Sequence, residues 1–382
     1  VFIPNVVSDE HVQLRATVRR FLADRSPEAD IRRVMDGDDG YEPELWRRMA
    51  AELGLQGLGI PEEYGGGGFG VPETIIVHEE LGRALLPSPF FPTVALAASL
   101  LLQLDDVAAR REWLPGIADG SLIATAALAG EARPFTVATR TTVTAAAASP
   151  EADGRDWRLS GECRAVLNAN VAGLILIVVP NGHATCVYAV RGASPGLTVT
   201  PLSTLDLTRK QATVRFLDTP ARLVGTPGEA GPAVRRCLDL AALALAAEQA
   251  GGAGRLLEMS IGYAKARYQF GRPIGSFQAI KHKLADMALD VERMDSLVWR
   301  AADVDGAVDN GEAELRITAA MARVFCSEAY FRVAAESIQV HGGIGFTWEH
   351  PAHLYFRRAK STEFLLGDPA AHRESLLQAL GV

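Results

Sequence analysis

The stretch RYQFGRPIGSFQ, Arg267 to Gln278, crowds two glycines and a proline between two long helical patterns. On one side, Pro232 to Lys265 is a nearly uninterrupted apolar run. On the other, Ile280, Leu284, Met287, Val291, Met294 and Val298 recur at spacings of four and three, the pattern of one buried helix face. The stretch is therefore predicted to connect two packed helices, with Arg267 closing the first and Gln278 opening the second.

A chain of 382 residues asks for more than one simple core. Its formal net charge of -8 opposes a nucleic-acid surface, which needs a basic footprint. Outside alanine-rich parts of a helix expected to be buried, no run of about 18 apolar residues lacks a charge or a breaker, so no membrane span is expected. VFIPNVVSDE has no basic segment leading into an apolar one; a secretory signal is not expected, and the cytoplasm is the default. Cys163, Cys186, Cys237 and Cys326 lie far apart and read as buried apolar residues in a reducing compartment.

Before residue 120 the pattern is helical. Ser8 can cap a helix over Asp9 to Ala23 that carries Val12, Val18, Phe21 and Leu22, and Pro43 opens a second helix ending near Gly54. PEEYGGGGFG, Pro61 to Gly70, lacks the Lys-Ser/Thr of a phosphate-binding loop and reads as a flexible turn. Thr74 to Leu86 and Phe91 to Leu104 are further helical runs. From about Ser121 to Gly225, WRLSG, GLILIVVP, ATCVYAV, GLTVTPL and QATVRFL are short β-rich runs split by turn residues, with the alanines at 145–148 a strand edge or loop. Helices return after Pro227. The expected fold class is α+β: an N-terminal helical domain over 1–120, a middle antiparallel β domain over 121–226, and a C-terminal four-helix bundle over 227–382.

QFGRPIGSFQAIKHKLADM, Gln269 to Met287, resembles the second signature of the acyl-CoA dehydrogenase family of flavoenzymes, and the α–β–α order is similar along the whole chain. The resemblance implies α,β-dehydrogenation of an acyl-CoA thioester with FAD as electron sink, in a tetramer that hands electrons to electron-transfer flavoprotein. It also implies that Arg267 pairs with a neighbouring subunit's cofactor diphosphate, with Phe270 packing against the cofactor and Gln278 adding a polar contact. A second donated strip is QVHGGIG, which starts at Gln339 and in which Gly342, Gly343 and Gly345 would let backbone approach the adenosine-diphosphate portion of the cofactor. His341 reads as part of that turn.

The half of the flavin site that a subunit keeps for itself departs from the family pattern. ATAALAGEARPF, Ala124 to Phe135, lacks the Glu-Pro and Ser-Asp elements, and Ala165, Val166 and Leu167 stand where the family places Trp-Ile-Thr. Removing an α proton from a thioester requires a carboxylate. Aligned on Arg357 to Lys360, one family base position holds Leu366, followed by Gly367 and Asp368; the other holds Ala241, followed by Ala242. Glu248, Glu363 and Asp368 remain as weak candidates for the base, Glu248 being about 10 Å along the helix from Ala241. His350 and His353 read as a surface turn and His282 as bundle surface, with no metal site expected. The alternatives are a subunit that donates half of a flavin site to a homologous partner, a self-sufficient homotetramer with a displaced base, and a non-catalytic scaffold of the same fold.

Overall fold

In a computed structural model of the chain, which describes residues 8–128, 142–147, 156–181, 184–304 and 311–382, the first helix begins at a side-chain cap. The Ser8 hydroxyl accepts from the His11 amide and the His11 ring accepts from the Ser8 amide, so α1 (Asp9–Arg25) has its end donors satisfied reciprocally. Val18 and Leu22 are buried, but Val12 is exposed. Six residues before Val18, at about 100° per residue, Val12 turns to the other side of the helix.

The helices α2 (Glu28–Asp36) and α3 (Pro43–Leu53) follow, and Gly54 ends α3 in the left-handed conformation with its amide donating to the Ala50 carbonyl. The glycine-rich turn before α4 (Val71–Arg83) differs from the flexible connection expected. Amides of Gly66, Gly67, Gly68 and Phe69 donate to carbonyls of Pro61, Gly57, Ile60 and Leu58 at 2.9–3.2 Å. A Cβ at Gly66 would lie 2.0 Å from the Ile60 carbonyl oxygen, so glycine serves close packing here. Phe91–Ala98 forms a wide π-helical turn leading into α5 (Ser99–Gln103), and Asp106 caps α6 (Val107–Ala118).

The seven-stranded sheet contains β1 (Ala124–Leu128), β2 (Thr144–Ala147), β3 (Asp156–Leu167), β4 (Leu174–Asn181), β5 (Ala184–Arg191), β6 (Leu197–Pro201) and β7 (Gln211–Val224). Its order is β1-β4-β5-β7-β3-β2, with β6 also on β7. Pairing is antiparallel except between β1 and β4, which run parallel from Ala124↔Leu174 to Leu128↔Val178. Ala145 to Ala147 lie in the edge strand β2. Leu159, Cys163, Ile175, Ile177, Val214 and Phe216 belong to the core packed on this sheet.

The remaining elements are α7 (Gly231–Ala266), the β8–β9 hairpin (Tyr268–Gln269 and Arg272–Pro273), α8 (Gln278–Val304), α9 (Gly311–His341), α10 (Ala352–Phe364) and α11 (Pro369–Ala379). The chain forms two compact units. The first takes residues up to Arg32, Val71–Leu86 and everything from Ala242; the second takes Arg33–Gly70 and Pro87–Ala241. In the first unit, α1 packs on α4, α4 on α8, and α9 on α8, α10 and α11. Met287, Val291, Met294 and Val298 are buried along α8, while Ile280 and Leu284 nearer its start are half-buried. Glycines allow α4 and α7 to touch through their backbones: a Cβ at Gly82 would lie 2.0 Å from the Glu248 carbonyl oxygen, and one at Gly251 would lie 1.9 Å from that of Glu79.

Candidate cofactor-donor strips and base positions

Helix α7 stops at Ala266, and the Arg267 amide still donates to the Tyr263 carbonyl at 2.8 Å. The Arg267 carbonyl accepts from the Ile274 amide at 2.8 Å, which closes the small hairpin. At the hairpin tip Phe270 has φ 53° and is 91% exposed, and the Arg272 guanidinium sits 4.1 Å from the Phe277 ring centre. The Arg267 side chain is exposed and pairs with no carboxylate among the described residues. Gln278, also exposed, lies 2.7 Å from the His282 ring. The two expected helix ends therefore fall where the sequence placed them.

The second strip ends α9. Gln339 is exposed, while His341 is buried and its Nδ1–H donates to the Ser337 carbonyl at 2.7 Å. Burial holds the His341 ring below its ordinary pKa and so favours the neutral form. Its ring stacks 4.6 Å from Tyr263 and 4.2 Å from His350, and Ser337 bonds Ser260 at 2.9 Å. These contacts join the end of α7 to the end of α9, so both strips spring from one place in the helical unit. Gly342 has φ 64°, and a Cβ at Gly342 or Gly343 would meet nothing within 4 Å. Gly345 is different: it is buried, and a Cβ there would lie 2.9 Å from that of His341, so its small size serves the turn itself. An exposed guanidinium with no carboxylate partner among the described residues, an outward aromatic and open glycine backbone fit an anionic dinucleotide.

The base positions have the opposite character. Leu366 is buried at φ 61°, and Gly367 follows at φ 107°. A wholly buried guanidinium, Arg323, holds this turn. It donates to the carbonyls of Thr362 and, at 2.8 Å, Leu365, lies 3.3 Å from that of Glu363, and reaches Gln249 at 3.3 Å. The cation thereby serves carbonyls at the C-terminal end of α10, adding to the Leu365 amide that donates to the Thr362 carbonyl at 3.3 Å. Burial, with Arg323 adding repulsion, pushes the His372 imidazole down to about 3.

Each candidate carboxylate is engaged elsewhere. Asp368 caps α11 by accepting from the Ala371 amide at 2.8 Å, and Glu363 pairs with Lys360 at 2.8 Å. Glu248 is buried and pairs with the equally buried Arg358 at 2.6 Å. Ala241 and Ala242 are buried in α7. In β3, Ala165 has φ 57° at a bulge, and Val166 and Leu167 are buried; the Leu167 carbonyl accepts from the Thr125 hydroxyl at 2.8 Å. Residues 129–135 of the ATAALAGEARPF stretch lie outside the described residues, while Ala124–Leu128 forms β1.

Two sequence readings need correction. His353 is buried against the Trp348 ring at 4.6 Å, not on a surface turn, and burial with nearby Arg357 pushes it down to about 4. Cys186 is half-buried, whereas the other cysteines are fully buried; all four are free thiols. Among the described residues no group of three or more metal-ligating side chains occurs, and no helix is long and apolar enough to cross a membrane. Sequence reasoning missed Arg323, since nothing in its spacing sets it apart from Arg316 and Arg332 in the same helix.

Two family models match the chain: the acyl-CoA dehydrogenase N-terminal domain over residues 8–121 and the C-terminal domain over 231–381. The acyl-CoA dehydrogenase IpdE2 of Mycolicibacterium smegmatis is 35% identical over 364 residues, covering 95% of this chain and 96% of that protein. The chain belongs to the acyl-CoA dehydrogenase family, whose members are flavin-dependent oxidoreductases. Among solved structures, the Tcur3481-Tcur3483 steroid ACAD is similar with TM-score 0.84 and 31% identity over 98% of each chain. The ChsE4-ChsE5 complex from Mycobacterium tuberculosis is similar with TM-score 0.86 and 29% identity over 99% of each.

Proposed function

We propose that this chain is a subunit of a mixed acyl-CoA dehydrogenase in which it donates half of an FAD site to a homologous but unlike subunit, and that the partner supplies the base. FAD bound there supplies the acceptor for the hydride leaving the acyl β carbon. From this chain, the Arg267 guanidinium neutralises the cofactor diphosphate, Phe270 shields it from water, and Gln278 and Gln339 orient it with polar contacts. Open backbone at Gly342 and Gly343 admits its adenosine end. The observation that carries this reading is the contrast between these outward groups and the buried hydrocarbon at Leu366 and Ala241.

Two similar solved structures bear paired names and one is named a steroid ACAD, which supports an assembly of unlike subunits acting on an alicyclic acyl-CoA; the tetramer is part of the proposal. Electron-transfer flavoprotein as acceptor and a cytoplasmic setting belong to the same proposal. The test compares flavin absorbance per polypeptide and acyl-CoA-dependent dye reduction for the chain alone and for the chain co-expressed with a homologue carrying a base glutamate. Little flavin and no turnover alone, with both restored on co-expression, is expected. Stoichiometric flavin with turnover from the isolated chain overturns the reading and returns the homotetramer with a displaced base.

A further inference from the structure

A recess lies wholly within the helical unit and uses none of the residues assigned above. Segments of α1, α2, α4, α7 and α10 enclose about 400 Å³, a volume in the range of small-molecule sites. Leu22, Ile31, Leu85, Met259 and Leu354 supply apolar walls, and the polar wall carries Arg19, Arg83 and Arg255 with Glu28 and Glu80.

Charge balance singles out one of these groups. Arg19 grips buried Glu80 through two bonds, at 2.7 and 2.9 Å, and Glu28 is held by Arg32 at 2.6 Å. Arg83 is paired with Glu258. Arg255 reaches that same Glu258 at 3.5 Å, and no other carboxylate pairs with it among the described residues. Its side chain is 44% exposed. Tyr355, whose hydroxyl donates to the Arg83 carbonyl at 2.7 Å, also lines the recess. One under-neutralised guanidinium beside an apolar pocket suits one carboxylate on a hydrocarbon body. With Glu80 and Glu28 neutralised by Arg19 and Arg32, the wall offers one uncompensated positive charge, which matches a monocarboxylate better than a dianion such as a phosphate ester.

We infer that this recess is a binding site for an aliphatic or alicyclic monocarboxylate, with its carboxylate on Arg255 and its hydrocarbon against Leu22, Ile31, Met259 and Leu354. The site takes a free acid and is independent of the proposed subunit role. Calorimetric titration of the full chain with decanoate, and separately with decanol, tests it. Saturable decanoate binding at one per chain is expected, with decanol at least about tenfold weaker because a guanidinium bonds a carboxylate more strongly than a neutral hydroxyl. Arg255→Gln is expected to weaken decanoate by a similar factor, and Arg255→Lys to retain part of the binding. Ala84→Phe, on the recess wall, is expected to abolish it, with the folded state of each variant checked by thermal melting. Absence of saturable binding, equal binding of decanol, or decanoate binding indifferent to both Arg255→Gln and Ala84→Phe would each overturn the assignment.

Discussion

The turns at Phe270 and Leu366 share an uncommon backbone feature, a bulky residue at φ 53° and 61°, and differ in nearly everything else. Such a conformation costs on the order of 1 kcal/mol and persists only where its surroundings hold it. At Phe270 the hairpin bond between Arg267 and Ile274 does so, and the ring is turned into solvent. At Leu366 the buried Arg323 gathers the surrounding carbonyls and the side chain is drawn inward. One turn holds its ring in solvent; the other folds its side chain into the interior.

The sharpest way to break this comparison is to strike the buried side. Glu248→Gln leaves Arg358 without its carboxylate in a closed interior and is expected to lower unfolding free energy by about 3–5 kcal/mol in urea titration. A loss under about 1 kcal/mol would mean that water reaches the pair. The same substitution placed in both turns then separates them. Leu366→Gly relieves the backbone but forfeits a buried side chain, for a net loss of about 1–2 kcal/mol, whereas Phe270→Gly should stay within about 0.5 kcal/mol. Equal losses at the two positions would erase the distinction.

Arg267→Ala sharpens the contrast from the outer side. It should leave the isolated chain's stability within about 0.5 kcal/mol, yet weaken flavin retention by the co-expressed assembly about tenfold or more, read by equilibrium dialysis. Retained flavin would remove Arg267 from the donor role. The smallest effect concerns pH. Burial, then the Glu79 carboxylate, push the Asp295 carboxyl up to about 7, with Arg15 opposing the rise. The folded chain therefore holds a proton that the unfolded chain releases near pH 4. This contribution is complete below pH 4 and is lost as pH rises toward 7. Asp295→Asn should flatten that part of the melting profile between about pH 4 and 7; an unchanged slope would exclude Asp295 as its source.

The helix ends around Arg267 to Gln278 were legible because their signals are local. Glycine, proline and arginine punctuate helix ends, and Met287 to Val298 carry an unbroken period, so Ala266 and Gln278 bound the helices where expected. Non-local features left no such trace. The strand Ala124–Leu128 is made of small residues without alternation, and only its parallel pairing with β4 shows what it is. Glu248 could be read as structural or catalytic until Arg358, more than a hundred positions away, was found against it. The four glycines after Tyr64 suggested looseness because composition reports what a backbone is able to do, whereas hydrogen bonds to residues 57–61 determine what it does. His353 was misplaced because polar neighbours in sequence do not reveal that a fold has closed over the ring.

The meeting of Gly82 and Gly251 limits how this chain can be recombined with its relatives. Neither position tolerates even a methyl group without displacing the opposing main chain. An exchange of amino-terminal segments between homologues would therefore succeed or fail on whether both crossing sites travel with matching small residues, however well the active centres agree. Shuffled libraries should lose solubility at this junction first.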